Sequence, residues 1–160
     1  LLQTSKSIRF KESSLVDTAK VYLVGAGLND PDLLTRKAER VLREADAVIY
    51  DRKVSPQILE LAVGAHCVAV GSEPSDEEHR AEVCGWYLRL RETCASVVRL
   101  MSTDPLMEGE ADEEMEFLSR HGFELEVLPG ILPETVYECR AIMRAVTGKL
   151  PHNEPATARK

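Results

Sequence analysis

Two short segments carry the residues best suited to chemistry. Val21-Tyr22-Leu23-Val24 runs into Gly25-Ala26-Gly27-Leu28-Asn29-Asp30-Pro31, and Ala47-Val48-Ile49-Tyr50 runs into Asp51-Arg52-Lys53-Val54-Ser55-Pro56. Each is an apolar run of strand type, a short polar turn, and then a proline suited to the first position of a helix. That order leaves backbone amides and one carboxylate at the ligand edge of a parallel sheet. Asp51 follows its strand directly, where a carboxylate can accept a proton, accept a substrate hydrogen bond, or cap a turn. Gly25-Ala26-Gly27 is half of a dinucleotide fingerprint without its third glycine, and it equally suits a tight strand-to-helix turn.

Other polar residues point less sharply to chemistry. Glu108, Glu110, Asp112, Glu113, Glu114 and Glu116 lie where the first turns of a helix are expected, so dipole stabilisation on a solvated face accounts for them better than metal binding. His66, His79, His121 and His152 form no i, i+4 pair and receive no role. Cys67, Cys84, Cys94 and Cys139 include no C-x-x-C spacing, which argues against a zinc site or a disulfide framework. Val83, Trp86, Tyr87 and Leu90 recur at helical spacing and are expected in a core.

The elements that must position these residues follow from periodicity. Strands are expected at Val21–Val24, Ala47–Tyr50, Cys67–Val70, Val97–Leu100 and Leu125–Leu128, alternating with five helical patterns. The fold class is therefore α/β, a five-stranded mostly parallel sheet with helices on both faces. In the first helical pattern Leu33, Leu34, Ala38, Val41, Leu42 and Ala45 share one face. Asp30-Pro31, Ser55-Pro56 and Asp104-Pro105 each place a capping side chain before a helix-starting proline, and Ser75 with Glu78 forms a capping box. In a parallel sheet these starts gather at the carboxyl ends of the strands.

The sequence has 160 residues, 44% of them apolar, which suits one soluble domain. With 27 acidic against 20 basic residues, the net charge of -7 disfavours a general nucleic-acid or anionic-membrane surface. No apolar run approaches the roughly 20 residues that span a bilayer, and no secretory pattern opens the sequence, so a cytoplasmic protein is expected. Residues 1–19 read as a linker or tail, 20–150 as the domain and 151–160 as an exit linker. A first residue of Leu suggests a piece of a longer protein.

Four motifs in order, Val24-Gly25-Ala26-Gly27 with Asp30-Pro31 and Leu33-Leu34, Tyr50-Asp51-Arg52 with Val54-Ser55-Pro56, Val97-Val98-Arg99-Leu100 with Asp104-Pro105, and Leu128-Pro129-Gly130-Ile131, carry a family resemblance. From about Lys20 to Pro151 the chain resembles the N-terminal domain of the tetrapyrrole methylase family, its uroporphyrinogen-III C-methyltransferase branch most closely. The resemblance implies S-adenosylmethionine as methyl donor, with S-adenosylhomocysteine as product. It implies a carbon of a reduced tetrapyrrole as acceptor, on the route to sirohaem or cobalamin, and Asp51 as proton acceptor. It places the donor against Gly25, Gly27, Leu28 and Asp30, against Ser102, Thr103 and Asp104 with Met107 beyond, and against Leu132 and Pro133. As partners it implies a C-terminal methylase domain or a second copy in a homodimer.

Several positions depart from the family pattern. Leu28-Asn29 replaces Pro-Gly, and Ser102-Thr103 replaces Gly-Gly, where a β-branched side chain resists positive φ and holds a ligand off the backbone. Gly71-Ser72-Glu73 replaces Gly-Lys-Arg, Met107-Glu108-Gly109-Glu110 replaces Phe-Gly-Arg-Gly, and Leu132-Pro133 replaces a small polar pair. A second expectation therefore stands beside the enzyme: a non-catalytic domain of the same fold serving as a scaffold or oligomerisation module. A nicotinamide-dinucleotide oxidoreductase is a weaker third.

Overall fold

A computed structural model describes residues 19–71, 77–107, 109, 111–132, 141–142, 144–146 and 148. Residues 1–18 of the expected tail, the exit linker, Ser75 of the capping box, Glu108, Glu110, Pro133, Cys139 and His152 lie outside the described residues, as does most of the fifth helical pattern, while Ala19 is described and buried.

All five expected strands form: β1 (Lys20–Gly25), β2 (Ala47–Asp51), β3 (His66–Val70), β4 (Ser96–Met101) and β5 (Glu124–Leu128). They make one sheet in the order β3-β2-β4-β1-β5, and every pairing is parallel. Helices α1 (Arg36–Glu44) and α2 (Pro56–Leu59) bury Ala38, Val41, Leu42 and Ile58 with Val24, Val48, Val98 and Leu100 on one face. Helix α3 (Glu77–Leu90) and helix α4 (Asp112–Arg120) bury Val83, Tyr87, Leu90 and Leu118 with Val21, Leu23, Ile49, Val97 and Met101 on the other. The period-two alternation of β1, β2, β4 and β5 thus divides their side chains between two cores, as a sheet covered on both sides requires, while β3 gives Val68 and Val70 to the α3/α4 side alone.

The topology also creates a crevice. The connections leaving β1 and β2 pass over the α1/α2 face, whereas those leaving β3 and β4 pass over the α3/α4 face. Because β4 lies between β2 and β1, chains leave neighbouring strands in opposite directions at their carboxyl ends, the arrangement that opens a ligand crevice.

Two of the expected helix starts are corrected. Asp30-Pro31 opens only a three-residue 3₁₀ turn (Pro31–Leu33), which ends because Leu34 is extended. Helix α1 then starts at Arg36, where the Thr35 hydroxyl accepts the Ala38 amide at 3.2 Å. Leu33 therefore leaves the apolar face and is exposed. Asp104-Pro105 starts no helix either. The Asp104 carboxylate closes a turn on the Leu106 amide at 2.8 Å and spends its other oxygen on a different loop, so α4 begins eight residues later. Ser55-Pro56 opens α2 as expected, with the Ser55 hydroxyl accepting the Gln57 amide at 3.3 Å.

Candidate active site at the carboxyl edge of the sheet

Three turns meet at this edge. On the β1 side, Gly27 sits at φ 59°, and a Cβ on it would stand 2.9 Å from the Ile131 amide nitrogen. A Cβ on Gly25 would stand 2.9 Å from the Gly130 nitrogen, and one on Gly130 would stand 2.8 Å from the Gly25 carbonyl oxygen. The glycines therefore let the β1 and β5 turns touch backbone to backbone, a spacing no side chain permits. Asp104 ties the β4 turn into the same junction by accepting the Gly130 amide at 2.7 Å.

Asn29, the one described non-glycine residue with positive φ, at 60°, links this side to the next. Its side-chain amide donates to the Lys53 carbonyl at 3.0 Å, and its oxygen accepts the Ser55 amide at 3.0 Å. The substitution of the family glycine thus keeps the left-handed turn and adds a clip between the β1 and β2 loops. Ser102 and Thr103 do not adopt positive φ, so the expected backbone strain at that pair is absent.

On the β2/β4 side the edge is built from charge. Asp51 is 2% exposed, and its Oδ2 accepts the Ser102 amide at 2.8 Å and the Ser102 hydroxyl at 3.1 Å. Its Oδ1 lies 2.6 Å from Arg99 Nη2, a buried ion pair. Arg99, 1% exposed, also meets Glu114 Oε1 through Nε at 3.3 Å and donates from Nη1 to the Leu100 carbonyl at 3.2 Å. Tyr87 donates to Glu114 Oε2 at 2.7 Å, and His79 Nε2 lies 3.5 Å from Arg99 Nη2. Burial alone would pull the guanidinium pKa down, but Glu114 and Asp51 outweigh it and hold it above its ordinary value.

Arg99, Glu114, Tyr87 and His79 went unassigned as functional residues in the sequence. The acidic run is solvated at Asp112, Glu113 and Glu116, but Glu114 turns inward. The signal that finds Arg99 is parity: it interrupts Val97-Val98-Arg99-Leu100, lies in register with Ile49, and so shares a sheet face with Asp51 two residues further along β2. Tyr87 and Val83 are core residues as expected, with Trp86 packed against them.

The structure gathers Gly25, Gly27, Asp51, Ser102, Thr103 and Asp104 at one edge. Asp30 is committed to its own turn, accepting the Asp32 amide at 2.9 Å. Leu28 and Leu132 are half-buried near the junction, and Met107 is exposed next to Leu106. Among the described residues no group of His, Cys, Asp and Glu can hold a metal ion, and no helix is long and apolar enough to cross a membrane.

With this geometry established, the comparisons with known proteins are decisive for the family. The family model of tetrapyrrole (corrin/porphyrin) methylases matches residues 20–133. The chain belongs to the tetrapyrrole methylase family. The chain is 39% identical to a siroheme synthase of Pseudomonas fluorescens strain Pf0-1 over 150 residues, covering 86% of the chain and 32% of that protein. It is 45% identical to the uroporphyrinogen-III C-methyltransferase of Pseudomonas aeruginosa over 120 residues, covering 71% of the chain and 47% of that protein. The crystal structure of uroporphyrin-III C-methyltransferase from Thermus thermophilus complexed with S-adenosyl homocysteine superposes with a TM-score of 0.64 at 42% identity. That superposition covers 75% of this chain and 48% of the solved one. The chain thus spans under half the length of each of these relatives.

Proposed function

We propose that the chain is the donor-binding half of an S-adenosylmethionine-dependent C-methyltransferase acting on uroporphyrinogen III, on the route to sirohaem or cobalamin. The observation that carries this reading is the junction of the β1, β4 and β5 turns beside the buried carboxylate of Asp51, which the Ser102 amide ties to the β4 turn. Family membership supports it, as does the S-adenosyl homocysteine complex of the Thermus relative.

The residues fit the donor. The backbone around Gly25, Gly27 and Leu28 and the segment Ser102–Asp104 would hold its polar groups. Met107 and Leu132 offer apolar contact, and Pro133 completes the set outside the described residues. When bound, S-adenosylmethionine supplies an electrophilic methyl group. The chain's own residues contribute position and a proton acceptor. Asp51 is assigned that acceptor role, the one the family resemblance gives its position: it is buried at the edge and held there by the Ser102 amide and hydroxyl. The acceptor's many carboxylates would meet little basic help from this edge, and a C-terminal methylase domain or a second copy is the proposed source of the remaining contacts. The domain reading, 20–150 between a tail and an exit linker, belongs to the same proposal.

Calorimetric titration of the chain with S-adenosylhomocysteine tests the reading. Saturable binding in the micromolar range, about -8 kcal/mol, is the expected result. No heat, together with no thermal stabilisation at millimolar ligand, would overturn it and favour the scaffold reading.

A further inference from the structure

The charged cluster reaches beyond Asp51 into the donor segment. Ser102–Asp104 is pinned at both ends: Asp51 accepts the Ser102 amide at 2.8 Å on the β2 side, and Asp104 accepts the Gly130 amide at 2.7 Å on the β5 side. The first of these pins is only as firm as the carboxylate that makes it. Asp51 is desolvated, and among the described residues its ion-pair partner is Arg99, itself fixed by Glu114, the Leu100 carbonyl and, behind Glu114, the Tyr87 hydroxyl. Three directions of a planar guanidinium are used at once, which an ammonium on a flexible stem does not reproduce.

We propose that Arg99 is a positioning residue for the methyl-donor segment: acting through Asp51, the buried Glu114–Arg99–Asp51 series holds Ser102–Asp104 in its ligand-receiving conformation. Asp51 then has two duties. Removing its charge loosens the donor segment as well as taking away a proton acceptor, so donor binding and proton removal are coupled through one carboxylate. The identity of the ligand rests on the function proposed above; the ordering of the segment does not.

The test is amide hydrogen exchange on the full chain, wild type against Asp51→Asn and Arg99→Lys, with Val98 in the middle of β4 as internal reference. A charge-assisted hydrogen bond is lost or weakened in both variants, so Ser102 protection is expected to fall about tenfold or more while Val98 keeps its own. Affinity for S-adenosylhomocysteine is expected to weaken by a similar factor in the same two variants. Unchanged Ser102 exchange, or equal losses at Ser102 and Val98, would overturn the positioning role and leave Arg99 a general core residue. If Arg99→Lys does not fold, Glu114→Gln takes its place, since Glu114 meets Arg99 and has no direct bond to Ser102: the same selective loss at Ser102 supports the positioning role, and unchanged Ser102 exchange overturns it. A wild-type chain that takes no S-adenosylhomocysteine would overturn the donor reading, while a loss confined to Ser102 would still support the positioning role.

Discussion

The two sides of the carboxyl edge are held together by opposite means. Between β1 and β5 the turns close through backbone contact, with Gly25, Gly27 and Gly130 bringing the two backbones to a separation that admits no Cβ. Between β2 and β4 they close through side chains, with a buried carboxylate, a buried guanidinium and a second carboxylate behind it. The first side tolerates no added volume, and the second tolerates no loss of a charged partner. One edge can therefore be damaged in two distinguishable ways.

The largest effect is expected where charge is unbalanced. Glu114→Ala leaves Arg99 with Asp51 as its one charged partner among the described residues, in a desolvated site, and removes the acceptor of Tyr87; breaking a buried pair in this way costs about 3–5 kcal/mol. Urea unfolding should show that loss; a change under about 1 kcal/mol, within the range of an exposed pair, would mean the cluster is solvated. Next comes Gly130→Ala, whose Cβ would meet the Gly25 oxygen at 2.8 Å and the Gly27 nitrogen at 2.9 Å. Forcing backbone apart costs about 2–3 kcal/mol. The same measurement should register it, with S-adenosylhomocysteine affinity falling as well; a neutral variant would show that the two turns separate freely.

Tyr87→Phe is the smallest of the three and sharpens the charged side alone. It removes one hydrogen bond to a buried carboxylate, about 1–2 kcal/mol at neutral pH. Burial first, and the Glu114 carboxylate second, hold the Tyr87 phenol well above its ordinary 10.0. Above that pH the unfolded chain releases the proton and the folded chain keeps it, so this contribution is whole below pH 10 and declines as pH rises beyond it. The phenylalanine variant should show a flatter alkaline decline in stability than wild type; an identical slope would remove Tyr87 from the cluster.

The same contrast explains what the sequence disclosed. Glycines forced by close backbone approach stand beside their strands and announce themselves locally, as do the five strands, whose apolar runs end in punctuating turns. Asp51 was visible for the same reason. Arg99, Glu114, Tyr87 and His79 were not, because their partners come from different strands and helices and meet only once the sheet has placed β2 beside β4. Acidic residues at a helix start look alike in sequence whether solvated, as Glu113 is, or buried, as Glu114 is. The two misread helix starts share a cause: Asp30 and Asp104 are capping aspartates before prolines, but their oxygens serve turns and a neighbouring loop instead of a continuing helix.

The central claim is that the methyl donor lies at the junction of the β1, β4 and β5 turns, beside Asp51. Residue-resolved amide shifts of the full chain during titration with S-adenosylhomocysteine test it most directly. The account predicts saturable changes concentrated at Gly25–Leu28, Ser102–Asp104 and Gly130–Leu132, with β3 and the outer faces of α1 and α4 unmoved. Changes centred elsewhere, or none at saturating ligand, would contradict it.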